Sequence, residues 1–384
     1  MSIIDRGSVF IVGAGCSAPF GVPVGGSLID DLAKQLTKEF KRAGGNNDNR
    51  YTDTIGRAIS EASCFREQFR NYPIGLSLYN RAKNPDGFDK EGWQDDLNKL
   101  IKLEPLLNGQ TSETIDDFIV ENPDYADLAK IGIAWAIFDT LYSRASTSSG
   151  YVRKNVSARY LEGRDSKDKP IQIRNWIHLL INIVRHGLRE QGGEIPTKHK
   201  VRIISFNYDP ILEQVLEEQF QNTQSGYDDY SEYIEIVHPH GVFDRFPLET
   251  NDPAELISSW ADKINVVNET PILDATKLAR KNAEEWMIDS TNIYAAGFAF
   301  SKPNCDLLRL QKKHKHPTPH STNQHYVTYC NYSGSAGLRE IVKRRVGENR
   351  VDRRPYQTEQ AGSPDSPLSI EEWIRGGFLG EMPG

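Results

Sequence analysis

A chain of 384 residues with 38% hydrophobic and 26% charged side chains can bury the core of one large or two ordinary domains without a disulfide or metal staple. Its formal charge of −7 argues against direct nucleic-acid binding, which depends on Lys and Arg neutralising phosphates. No apolar run approaches the roughly 18 to 20 residues of a membrane span, and the stretch Met1 to Arg6 lacks the basic-then-apolar order of a secretory leader, so a cytoplasmic protein with no membrane contact is expected. Cys16, Cys64, Cys305 and Cys330 stand far apart with no paired spacing, which points to reduced thiols and away from a disulfide framework or a zinc ribbon.

In chain order, the β-branched run Ser8 to Val12 predicts a buried strand that ends in Gly13-Ala14-Gly15, with a helix following from about Ser27 to Lys41. From about residue 44 to 193 strand-like runs give way to helical ones separated by polar loops. Leu128, Ile131, Trp135, Phe138 and Tyr142 recur at helical spacing beside a second stripe of Ile133, Ile137 and Leu141, which predicts a helix buried on most sides. Trp176, Leu179, Leu180, Ile183, Val184 and Leu188 predict another helix. Strand patterns return at 201–206, 233–237, 292–296 and 325–329, with amphipathic helices at about 210–220 and 336–345. The expected fold is therefore α/β, a Rossmann-like parallel sheet with a large helical insertion. Residues 1–43 and 194–348 form its core, 44–193 the insertion, and 349–384 a linker and tail.

Three short segments carry candidate chemistry. A glycine turn at Gly13-Ala14-Gly15 lets a pyrophosphate approach the chain where a helix N-terminus supplies free N–H groups, although a plain strand-to-helix turn accounts for it equally well. Asn207-Tyr208-Asp209-Pro210 lies between a strand and a helix, where Asp209 is also a good N-cap ahead of a first-turn proline. His238-Pro239-His240-Gly241 offers a general base, a metal-ligand pair or a hydrogen-bonded turn. Together with Gly297, these segments all fall at the carboxyl ends of predicted strands, the edge at which open α/β sheets bind ligands.

In this order the residues resemble the sirtuin family. Gly13-Ala14-Gly15-Cys16-Ser17 is similar to its Gly-Ala-Gly-x-Ser opening, Asn207-Tyr208-Asp209 to its Asn-x-Asp, His240-Gly241 to its catalytic His-Gly, and Gly297-Phe298-Ala299 to its glycine turn near the adenosine. Thr114-Ile115-Asp116-Asp117-Phe118 looks like a segment common in the bacterial sirtuin-like branch. The chain departs from protein-deacylating sirtuins in lacking a four-cysteine zinc ribbon, and it has Pro23-Val24-Gly25-Gly26 where they carry Pro-Asp-Phe-Arg. Both departures shift the resemblance toward the sirtuin-like effectors of bacterial anti-phage systems that deplete nicotinamide adenine dinucleotide (NAD).

The resemblance implies a NAD glycohydrolase that uses NAD as substrate and needs no metal. Asn207 would position the nicotinamide end and the attacking water, Asp209 the ribose or its neighbours, and His240 would act as base, with His238 as its substitute. Gly13, Ala14, Gly15 and Ser17 would hold the pyrophosphate, while Gly297 and Asn331 would lie toward the adenosine. It further implies a homo-oligomer, with a HerA-type ATPase ahead of a short Argonaute as companion. The competing readings are a NAD-dependent protein deacylase or ADP-ribosyltransferase, and a non-enzymatic NAD or ADP-ribose sensor.

Overall fold

The computed structural model describes residues 8–44, 48–60, 68–84, 87–109, 112, 114–145, 150–164, 170–190, 200–221, 229–266, 269, 272–290, 292–310, 326–330 and 336–346. Its contacts divide the chain into two compact units. One comprises residues 1–20, 156–241 and 270–384; the other comprises 21–155 and 242–269.

The first unit is built on a five-stranded sheet. Val9–Val12 lies at its centre, flanked on one side by Val201–Ser205 and then Ile234–Val237, and on the other by Asn292–Ala296 and then Tyr326–Cys330. All four pairings are parallel, which is the Rossmann-like α/β arrangement. Val9–Val12 is buried at all four positions, as its unbroken apolar run requires of a strand covered on both faces. Helices Trp176–Glu190, Ile211–Gln221, Asp274–Asp289 and Ala336–Val346 belong to this unit. Val9, Ile11, Ile204, Ile293 and Val327 from the strands form one apolar cluster with Ala283, Met287 and Val342 from the helices.

The order of the strands matters for function. From the centre the chain builds outward through 201–205 and 234–237, then crosses over to 292–296 on the opposite flank. The connection therefore reverses direction between Val9–Val12 and Asn292–Ala296, and the loops leaving those two strands, Gly13 onward and Gly297 onward, border the switch point at which such sheets bind ligands.

The second unit is mainly helical, with Gly25–Arg42, Asp48–Ser60, Pro73–Ala82, Lys90–Asn108, Ile115–Glu121, Ala126–Leu141 and Pro253–Ala261. Ala126–Leu141 is buried almost all round, including both predicted apolar stripes. Thr114 caps Ile115–Glu121 by accepting the Asp117 N–H at 3.2 Å, and Phe118 is buried, so local helix chemistry accounts for much of the Thr114–Phe118 pattern. Glu39 is fully buried among three helices of this unit. Its carboxylate accepts from Tyr51 Oη at 2.6 Å, Ile74 N at 3.0 Å, Gln35 Nε2 at 3.2 Å and Gly75 N at 3.4 Å. Burial outweighs those four donors and raises its pKa from the ordinary 4.5 to about 7.

The structure corrects the expected boundaries. Gly25–Arg42 belongs to the helical unit, because its apolar face packs on Lys90–Asn108 and Ala126–Leu141. Residues 156–193 belong to the sheet unit, where Trp176–Glu190 packs on Ile211–Gln221. Residues 242–269 return to the helical unit. The stretch expected to be a helical insertion also holds antiparallel pairs: Lys83–Asn84 with Gly87–Phe88, Tyr142–Arg144 with Tyr151–Arg153, and Tyr160–Arg164 with Pro170–Arg174. Strands of two to five residues are too short for a period of two to stand out in sequence. The tail 349–384 lies outside the described residues, as does Cys64, while Cys16, Cys305 and Cys330 are buried and form no disulfide.

Candidate functional site

All the candidate residues that the structure describes belong to the sheet unit and lie at its carboxyl edge. The loops there are tied by main-chain bonds from strand to strand. Gly13 N donates to Ala296 O at 2.9 Å, Gly15 N to Gly297 O at 3.1 Å, Gly297 N to Cys330 O at 2.8 Å, and Phe206 N to Val12 O at 2.8 Å. An ideal Cβ on Gly13 would come within 2.5 Å of Gly297 O, and one on Gly297, whose φ is +59°, within 2.4 Å of Cys16 N. These two glycines are required by the contact between the two loops themselves, a role distinct from cradling phosphate or adenosine.

The chain after Gly13 also differs from the expected strand, turn and helix. Two short 3₁₀ turns, Ala14–Cys16 and Ala18–Phe20, follow the strand, and the α-helix begins only at Gly25, in the other unit. The helix expected from about Ser27 to Lys41 is therefore present, starting two residues earlier, while the chain directly behind the glycine turn is 3₁₀. Trp176, which sequence reasoning assigned only to a helix face, anchors it by donating its indole N–H to Cys16 O at 2.9 Å.

Ser17 brings the distant motifs together. Its hydroxyl donates to Asp209 Oδ2 at 2.8 Å and accepts from Asn207 Nδ2 at 2.9 Å. A hydroxyl has one proton, and here Asp209 receives it, so the Ser17 hydroxyl links Asn207 and Asp209. The other Asp209 oxygen accepts from Ile211 N at 3.3 Å, which makes Asp209 both the start of helix Ile211–Gln221 and a member of the site. Burial of Asp209 raises its pKa from 3.8 to about 6, with the Ser17 and Ile211 hydrogen bonds opposing the rise. Ser17, Asn207, Asp209 and His240 are 3%, 7%, 4% and 1% exposed, so each polar atom among them needs a partner or a ligand. Asn207 Oδ1 is buried and has no hydrogen-bond partner among the described residues.

The two histidines diverge. His240 sits edge-on to Phe206, with ring centroids 5.1 Å apart and planes at 87°, and is roughly stacked with Tyr208 at 6.1 Å. Phe206 in turn meets Phe298 at 5.1 Å, so an aromatic row joins His240 to the loop after Asn292–Ala296. His238 is held on both ring nitrogens, by Asn207 O at Nδ1 (3.0 Å) and by the Glu213 carboxylate at Nε2. Burial works against its protonation, but the charge and hydrogen bond of Glu213, the Asn207 carbonyl and Asp209 outweigh it, so the imidazole titrates above its ordinary value. With both nitrogens engaged, His238 is available neither as a metal ligand nor as a replacement base. Segment 238–241 is itself a hydrogen-bonded turn, closed by Gly241 N to His238 O at 3.0 Å with Gly241 at φ +81°.

Sequence reasoning missed Glu213 and Trp176 as parts of this region. Glu213 carried one usable signal, an acidic residue in the first turn of a helix that follows a candidate site. Asn331 lies outside the described residues. Among the described residues no group of three or more His, Cys, Asp or Glu side chains is arranged to hold a metal ion, and no helix is long and apolar enough to cross a membrane. Neither protein-family models nor curated proteins give a match to the chain.

Proposed function

We propose that the sheet unit binds NAD at its carboxyl edge and hydrolyses the bond between nicotinamide and ribose, as a sirtuin-like NAD glycohydrolase. One observation carries this reading. Ser17, Asn207 and Asp209, up to 192 residues apart in sequence, form one buried hydrogen-bonded chain at the sheet's carboxyl edge, and it leaves the Asn207 amide oxygen open to a donor from a ligand. A purely structural network tends to close on itself.

The reaction makes specific demands. The bond between C1′ and the pyridinium nitrogen breaks, and nicotinamide leaves neutral with the bonding pair. Water adds to the oxocarbenium-like carbon, and one proton is lost from that water. Asn207, held at Nδ2 by Ser17, presents Oδ1 as an acceptor for a ribose hydroxyl or for the water. Asp209 lies one hydroxyl away and orients the same groups, and His240 takes the proton. The Ser17 hydroxyl sets the rotamers of both Asn207 and Asp209, a task different from phosphate binding. The anti-phage role, self-association and a HerA-type or Argonaute companion rest on the family resemblance alone.

The test is nicotinamide release from NAD by the purified full chain. Asn207→Ala and His240→Ala are each expected to lower the rate by roughly 10²- to 10⁴-fold, the usual range for losing a positioned acid–base group. Wild-type rates in both variants would remove the assigned site. NAD binding without turnover would replace the hydrolase with the sensor, and release that depends on an acylated or acceptor protein would replace it with the deacylase or transferase.

A further inference from the structure

We infer that Glu213 and His238 are positioning residues for this reaction: a charge-matched pair of a partly buried carboxylate and a buried imidazole that fixes the relative placement of Asn207 and His240 through the main chain. The inference rests on the NAD-cleavage reading above. It starts from proton requirements. Asn207 O is a carbonyl and can only accept, so His238 Nδ1 carries a hydrogen. Nε2 faces a carboxylate oxygen, so a proton also lies in that contact, whichever partner formally holds it. Turning the ring over would set carbon atoms against both acceptors. The imidazole is therefore fixed in rotamer and in hydrogen placement by its two partners.

Those partners come from separate segments. Asn207 leaves the strand Val201–Ser205, Glu213 is in the first turn of Ile211–Gln221, and His238 follows the strand Ile234–Val237. The His238 side chain holds the carbonyl of Asn207, while its own carbonyl accepts from Gly241 N and so closes the turn that carries His240. One residue thus sets the register between the two strand exits that supply the amide and the base. Arg280 supports the same turn, donating Nε to Pro239 O at 2.8 Å. Because its ring nitrogens are engaged by protein, His238 reaches the reacting atoms only through Asn207 and the turn that carries His240, which distinguishes positioning from catalysis.

The pair of isosteres His238→Asn and His238→Gln separates the two contacts. Asparagine places an amide N–H near the position of Nδ1 and keeps the bond to Asn207 O; glutamine reaches toward Glu213 and loses that bond. The full-length protein is assayed for kcat and KM of nicotinamide release, for Tm, and by proton NMR for a downfield imidazole N–H. His238→Gln and Glu213→Ala are expected to lower kcat about 10- to 100-fold with little change in KM, the size usual for residues that support a reacting group from behind. His238→Asn should recover most of that kcat despite a Tm no higher than that of His238→Gln. The downfield resonance should be present in wild type and His240→Ala and absent from Glu213→Ala. A kcat that simply follows Tm across the variants, or a His238→Gln enzyme of unchanged kcat, overturns the inference, as does the absence of the resonance from wild type. A wild type that shows the resonance yet never releases nicotinamide instead overturns the functional reading, and the positioning role with it.

Discussion

Replacing Gly297 with Ala perturbs the site without touching any residue assigned to chemistry. At φ +59° an alanine pays the left-handed penalty of about 1–2 kcal/mol. Its Cβ would also lie 2.4 Å from Cys16 N, 2.7 Å from Gly15 C and 2.8 Å from Gly15 Cα, all main-chain atoms that no side-chain rotation can withdraw. Overpacking of that kind costs about 1–3 kcal/mol, so the total is about 2–5 kcal/mol against the roughly 5–15 kcal/mol that holds a domain folded. The variant should fold with a much lower urea midpoint. Relief requires the 13–16 segment to retreat, which strains the bonds from Gly13 N to Ala296 O and from Gly15 N to Gly297 O and carries Ser17 away from Asn207 and Asp209. Nicotinamide release should therefore fall as well. The assay is urea denaturation followed by tryptophan fluorescence, with Gly87→Ala as control: its φ is +138° but nothing lies within 4 Å of its Cβ, so it reports backbone strain without the clash. A Gly297→Ala protein within about 0.5 kcal/mol of wild type would refute the claim that the two loops demand glycine. Unchanged stability with lost NAD affinity would return Gly297 to the adenosine role.

Two further outcomes follow from the buried carboxyl groups. Glu39 has its folded pKa raised from 4.5 to about 7, so its contribution to stability is fully present below pH 4.5 and is lost as pH rises through about 7. A shift of this size corresponds to about 3 kcal/mol, and the stability difference between wild type and Glu39→Gln, measured by urea titration across that window, should change by that order; a constant difference would refute the assignment. Ser17→Ala removes a hydrogen bond that lowers the Asp209 pKa, so the pKa should rise above about 6 and the acid limb of kcat/KM should move to higher pH. An acid limb that stays in place would mean that Asp209 ionisation does not govern the rate.

The sheet was legible because its strands are rich in β-branched or aromatic residues between turn residues, and the central one, Val9–Val12, is an unbroken apolar run buried at every position. Val9–Val12, Val201–Ser205 and Asn292–Ala296 begin or end within one residue of expectation. The division into units was not legible, for a physical reason. An amphipathic helix such as Gly25–Arg42 declares that one face is buried but not against what, so its neighbours in sequence gave the wrong allegiance. The antiparallel strands Tyr142–Arg144 and Tyr151–Arg153 were hidden by their length and by the long helix immediately before them.

At the site, residue types were visible but bonds were not. Ser17 stood in the right motif, yet nothing in a one-dimensional pattern says that a hydroxyl after a glycine turn will meet Asn207 and Asp209, respectively 190 and 192 residues away. The two readings of Asp209 do not exclude each other, because a carboxylate has two oxygens: one accepts from Ile211 N at the start of a helix and the other meets Ser17. His238 and His240 look equivalent in sequence, but the structure gives the first two protein acceptors at its ring nitrogens and sets the second against the rings of Phe206 and Tyr208. The glycine turn changes meaning in the same way. Gly13 and Gly297 lack side chains because two loops meet there backbone to backbone, and that contact is what brings Ser17 within reach of the strand exits on the far side of the central strand.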